Sequence, residues 1–185
     1  TWYHRSFDYP DQIRRLAEFC AYFDQHADRR FLKGLEVDID CHGKLLLADD
    51  VKQFNFAFYL GAIHFVPDHA DKQKVVDEFL FLLDSLGKNG IKYVAHPLRM
   101  LRKRQIEPRP YFPQIIAIFQ KYGMAAEINY HKNMPEPEFI EYALRHRVKL
   151  FLGTDSHNIG NFGLLQPHLH LLSKIYNGDL RDILC

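Results

Sequence analysis

At 185 residues, 47% of them hydrophobic and 25% charged, the chain has the composition of one globular domain with its own core. A net charge of +1 provides no bulk field for nucleic acid or an acidic membrane surface, and no apolar run is long enough to span a bilayer. Cys20, Cys41 and Cys185 are odd in number and lack C-x-x-C spacing, which argues against a disulfide framework or a thiolate zinc site and predicts a reducing, cytoplasmic setting.

Residues 1–9 read as irregular and aromatic-rich. Asp8-Tyr9-Pro10-Asp11 then marks a helix start, with Pro in the first turn and acids at the positive end of the dipole. Ile13, Leu16, Ala17, Cys20 and Phe23 follow at helical spacing and carry that helix to about His26. Phe31 to Asp40 predicts a first strand, Leu46 to Phe54 a short helix and Phe56 to Val66 a second strand. Asp71 to Leu86 is amphipathic and is closed by Gly87 or Gly90.

Ile91 to His96 predicts a third strand, stopped by Pro97. Arg99, Arg102, Lys103, Arg104 and Arg109 then read as a basic loop. Tyr111 to Tyr122 is helical up to Gly123, and Met124 to Tyr130 forms a fourth strand. Pro135 to Arg147 predicts a helix, Lys149 to Thr154 a fifth strand, Leu164 to Tyr176 a helix, and the tail one turn more. Strands that are apolar throughout, alternating with helices, imply a parallel sheet or a (β/α) barrel in an undivided domain over residues 1–185.

Polar residues interrupt the strands or their ends at Glu36, His64, His96, Glu127, and Asp155 with His157. Successive positions lie about thirty residues apart, the length of one βα unit. Each therefore falls near the C-terminal end of its strand, on the face where parallel α/β folds carry their sites. Imidazole and carboxylate donors without thiolate suit zinc, iron or manganese. Burying two carboxylates and three imidazoles together without a cation is expensive. Glu36, His64, His96, Asp155 and His157 are the candidate metal ligands. Glu127 shares the spacing but is not counted among them, and Asp38, beside Glu36 on the same face, is read as structural.

Gly34-Leu35-Glu36, Gly61-Ala62-Ile63-His64, Ala95-His96-Pro97, Glu127-Ile128-Asn129 and Gly153-Thr154-Asp155-Ser156-His157 follow the order of motifs in the PHP family, named for its polymerase and histidinol phosphatase members. The resemblance runs from about Lys33 to Gly163. It implies a distorted seven-stranded, TIM-like (β/α) barrel with up to three divalent ions on its C-terminal face. In that pattern Glu36, His64 and His96 hold one ion, Glu36 bridges to a second shared with Asp155, and His157 serves the third. The His-x-His and Asp-His motifs with which the pattern opens are missing, and five strands are counted where the family has seven. Both deficits fit a chain that begins just after the second strand, so that the domain is N-terminally incomplete.

The resemblance implies a metal-dependent phosphoesterase, similar to histidinol phosphatase, that hydrolyses a small-molecule phosphate monoester with metal-activated water. Asp155 and His157 are the candidate catalytic residues. Arg99 and Arg102 are candidates for binding non-bridging phosphoryl oxygens, and His131, just past the fourth strand, for contacting substrate. Two other readings compete. One is a phosphodiesterase or exonuclease, which near-neutral charge does not favour; the other is a non-catalytic scaffold, suggested by the missing motifs.

Overall fold

In a computed structural model, described for residues 10–130, 136–156, 160 and 163–185, five strands are separated by helical segments. The elements are α1 (Pro10–His26), β1 (Gly34–Asp38), α2 (Asp49–Lys52), β2 (Phe58–Ala62), α3 (Lys72–Lys88), β3 (Tyr93–Val94), α4 (Arg99–Lys103), α5 (Phe112–Tyr122), β4 (Ala125–Asn129), α6 (Pro137–Arg145), β5 (Leu150–Gly153) and α7 (Gln166–Ile175). Single 3₁₀ turns at Arg109–Tyr111 and Leu180–Asp182 complete them.

The five strands pair in chain order, β1-β2-β3-β4-β5, and every pair is parallel. A parallel sheet that advances steadily in one direction by right-handed crossovers puts all its connecting helices on one face. Leu35, Val37, Ile63, Val94, Ala126, Ile128 and Leu150 point to that face and are buried. Against them α3 lays Val75, Val76, Phe79, Leu82, Leu83 and Leu86, and α5 lays Ile115, Ile116 and Phe119. The order has no reversal, so it lacks the switch point of a doubly wound sheet and is consistent with part of a barrel wall.

The opposite face carries Glu36 and Asp38 of β1, Phe58 and Leu60 of β2, Tyr93 of β3, Ala125, Glu127 and Asn129 of β4, and Phe151 and Gly153 of β5. The register pairs Glu36 with Leu60, Leu60 with Tyr93, Tyr93 with Ala125, and Glu127 with Phe151. Phe58, Tyr93 and Phe151 meet edge to face across this surface, with ring centroids 5.6 and 5.7 Å apart. Beside β5 the tail adds a parallel bridge, Leu150 N–H to Ile183 O at 2.8 Å and Cys185 N–H to Leu150 O at 3.0 Å.

Every strand is shorter than its apolar run. The runs include turn residues that are buried without being paired, and hydrophobicity alone does not separate the two. The basic segment after Pro97 is a correction: Arg99–Lys103 is a short helix, not a loop. Met100 and Leu101 bury themselves there while the cations around them stay partly exposed, so the segment's polarity conceals its two anchors. Of the two glycines expected to close α3, Gly90 does so: the helix runs to Lys88 and Gly90 takes a left-handed φ of 82°. Gly87 stays within the helix against the Tyr122 ring, where a side chain has no room. Cys20, Cys41 and Cys185 are all free, and no helix among the described residues is long and apolar enough to cross a membrane.

Candidate metal centre

Glu36 reaches the site from within β1, whereas the two histidines stand two residues past their strands: β2 ends at Ala62 and β3 at Val94. The parallel register brings all three together. Glu36 Oε1 lies 3.5 Å from His64 Nε2 and 3.5 Å from His96 Nε2, and the two rings meet edge to face at 4.9 Å. One donor atom from each residue falls within 4.8 Å of the other two. A tetrahedral ion with bonds of about 2.1 Å sets its ligands about 3.4 Å apart, so the two Glu36–His distances match those of one shared cation.

The donors are also poorly satisfied without one. Glu36 Oε1 and His96 Nε2 are buried with no hydrogen-bond partner among the described residues. Leaving such atoms unpaired costs roughly 1–3 kcal/mol each. Burial raises the Glu36 carboxyl, but the neighbouring His96 and His64 rings outweigh it and hold the group below its ordinary value. The carboxylate is thus kept in the anionic form that a cation requires.

Asp38, read from sequence as structural, does more than pack. It is 2% exposed, and its Oδ1 accepts the N–H groups of Ile39 at 3.0 Å and His64 at 3.3 Å. Its Oδ2 lies 3.2 Å from His64 Nδ1. A carboxylate beside Nδ1 favours the tautomer with the proton there and leaves Nε2 as the donor facing Glu36. The alternation of β1 puts Asp38 two residues from Glu36 on the same face. That signal was present in the sequence, but its partner across β2 was not.

His96 has a left-handed backbone, φ 32°, and opens the turn that closes with Arg99 N–H to His96 O at 3.0 Å. Its own N–H donates to Glu127 Oε2 at 2.6 Å, and the Asn129 side-chain amide donates to the same oxygen at 3.0 Å. Glu127 and Asn129 are 8% and 5% exposed. Burial raises the Glu127 carboxyl above its ordinary value against the pull of these two donors.

Asp155 also has a left-handed backbone, φ 44°, two residues beyond β5. It is not part of the group formed by Glu36, His64 and His96; its Oδ2 instead lies 3.6 Å from Arg99 Nη1. Arg99 therefore turns toward a strand end of the site, while Arg102 forms a close ion pair with Glu136. Both arginines line a cavity of about 40 Å³ together with His96, Pro97, Leu98 and Phe139. His131 and His157, expected to contact substrate and a metal ion, lie outside the described residues. His69 contacts Glu78 at 2.6 Å, and His168 is fully buried and bonds Gly153 O at 2.8 Å, so neither belongs to the cluster.

No protein-family model matches the chain, and no curated protein matches it. Among solved structures, the fold is similar to that of histidinol phosphate phosphatase from Lactococcus lactis subsp. lactis, crystallised with zinc, L-histidinol and phosphate. The two superpose with a TM-score of 0.59 at 17% identity, over 92% of this chain and 75% of the other. At that identity the likeness concerns the fold, which the chain shares with a member of the family its strand-end motifs resemble.

Proposed function

We propose that this chain is a metal-dependent phosphoesterase acting on small phosphate monoesters. The observation that carries the reading is the Glu36–His64–His96 cluster, with its buried donor atoms, at the strand ends of a fold shared with a phosphatase. These three residues would hold one divalent cation. Asp155 and His157 are proposed as ligands of further ions, up to three in all, with zinc, manganese or iron fitting the nitrogen and oxygen donors. When bound, such ions supply Lewis acidity toward a phosphoryl oxygen and acidify water.

The chain's own residues supply the rest. Arg99 approaches the site from the N-terminal end of α4 and presents N–H donors that suit non-bridging phosphoryl oxygens. Arg102 is hydrogen-bonded to Glu136, whereas Arg99 meets Asp155 only at 3.6 Å, so Arg99 is the better anion ligand of the two. Asp155 accepts the proton of the attacking water or orients it, and its contact with Arg99 directs the carboxylate. His131 is proposed to contact the substrate and His157 to assist at the reacting group.

The test is His96→Ala. Bound metal per chain, measured by elemental analysis, is expected to fall together with phosphomonoester hydrolysis, the latter by about 100-fold or more. Unchanged metal content refutes the assignment. Faster hydrolysis of a single-stranded oligonucleotide than of a phosphomonoester replaces the substrate class with a nucleic acid.

A further inference from the structure

Both histidines of the cluster follow their strands by two residues, where the sheet ladder no longer holds the backbone. For His64 the main-chain N–H is taken by Asp38 on the neighbouring β1. For His96 the ladder makes its last bond one residue earlier, Ala95 N–H to Gly61 O at 2.9 Å. The next N–H, that of His96, points toward β4. There Glu127 Oε2 accepts it at 2.6 Å, in the place where a strand would offer a carbonyl.

The Glu127 carboxylate is itself confined. Asn129, two residues along β4, donates to the same oxygen, so that oxygen serves two donors. The other oxygen lies over the Cα of Gly153 in β5, where an added Cβ would stand 1.6 Å from Glu127 Oε1. The glycine at the end of β5 is therefore required by close approach of the carboxylate, since its own backbone has no positive φ. Glu127 is not a member of the donor group of Glu36, His64 and His96.

We infer that Glu127 is a positioning residue for His96. It holds the left-handed backbone of residue 96 through the main-chain N–H and so aims the imidazole Nε2 at Glu36 Oε1. A non-glycine residue at φ 32° stays there only when its surroundings over-determine it. The clamp supplies that determination from the neighbouring strand. Glu127 thus acts for His96 as Asp38 acts for His64: each is a buried carboxylate that fixes a ligand's main chain from an adjacent strand. This inference rests on the proposed metal site, and it extends that site to a residue, Glu127, and a cradle, Gly153, that do not touch the ion.

Cobalt(II) titration of metal-stripped protein tests it, with affinity read by chelator competition and geometry by the d–d absorption bands. Glu127→Ala is expected to weaken cobalt binding about 10–100-fold and to shift the bands. Gly153→Ala keeps the carboxylate but displaces it, and is expected to move both readouts in the same direction. Glu127→Gln keeps an oxygen that can accept both N–H groups, and is expected to stay within about threefold of wild type. If Glu127→Ala does not fold, Gly153→Ala and Glu127→Gln decide. Wild-type affinity and bands in Glu127→Ala or Gly153→Ala overturn the inference alone, as does a loss in Glu127→Gln as large as in Glu127→Ala. A wild-type protein that binds no cobalt overturns the metal reading and this inference with it.

Discussion

Asp38→Asn removes one charge beside the cluster and keeps the shape of the side chain. The amide oxygen can still accept the N–H groups of Ile39 and His64, now 3.0 and 3.3 Å from Oδ1. The amide NH₂ then replaces Oδ2, 3.2 Å from His64 Nδ1. A donor facing Nδ1 favours the opposite tautomer and moves the ring proton to Nε2, the atom that must bind the ion. Removing a carboxylate behind a ligating histidine weakens the ion by about 10–100-fold, or about 1.4–2.8 kcal/mol at about 1.4 kcal/mol per factor of ten. Stability should change little, because both main-chain donors keep their acceptor. Asp38→Ala, by contrast, strands two buried N–H groups at roughly 1–3 kcal/mol each. The assay is zinc competition against a chromophoric chelator, with thermal unfolding of the metal-free protein as control. Wild-type zinc affinity in Asp38→Asn would show that the carboxylate does not set the His64 tautomer.

Two further outcomes concern the scaffold. Asp84 lies 2.8 Å from the Lys121 ammonium and 2.7 Å from that of Lys88. Burial opposes ionisation, but Lys121 and Lys88 prevail and hold its pKa down to about 2, well below the ordinary carboxylate range. A carboxyl depressed in the folded state adds stability that is present above its unfolded value and lost as pH falls toward the folded one. The advantage of wild type over Asp84→Asn in urea denaturation should therefore be constant from about pH 7 to 5 and close between about pH 4 and 2. Its size should be under about 1 kcal/mol, since the group lies near solvent and is screened; a difference that persists unchanged to pH 2 contradicts the pairing. Gly123 caps α5 at φ 60°, ψ 41°, with open space where a Cβ would stand. Gly123→Ala should cost about 1 kcal/mol in the same assay and Gly123→Asn less, because Asn tolerates the left-handed region; equal stabilities would remove the conformational explanation.

Strand–helix alternation, the parallel sheet and the cluster of Glu36, His64 and His96 were legible in the sequence. A βα unit has a characteristic length, so chemistry repeated at that interval must return to the same end of the sheet. α1, α5 and α7 were equally plain, because apolar spacing and capping residues are local signals. The strand ends were not local. Whether a buried residue is paired in a ladder or turns out of it depends on its neighbour: the apolar run predicts a strand through His96, but β3 ends at Val94. For the same reason Asp38 and Glu127 gave only ambiguous signals as lone carboxylates. Their work is done on the backbone N–H groups of His64 and His96, residues that lie one strand away in space and some thirty positions away in sequence. The short helix Arg99–Lys103 was hidden because two buried residues are too few to register a period. The sequence by itself determined which residue types stand at the strand ends. Only the tertiary structure decided which of them meet, since register, backbone hand and the closeness of Gly153 to Glu127 exist only between strands.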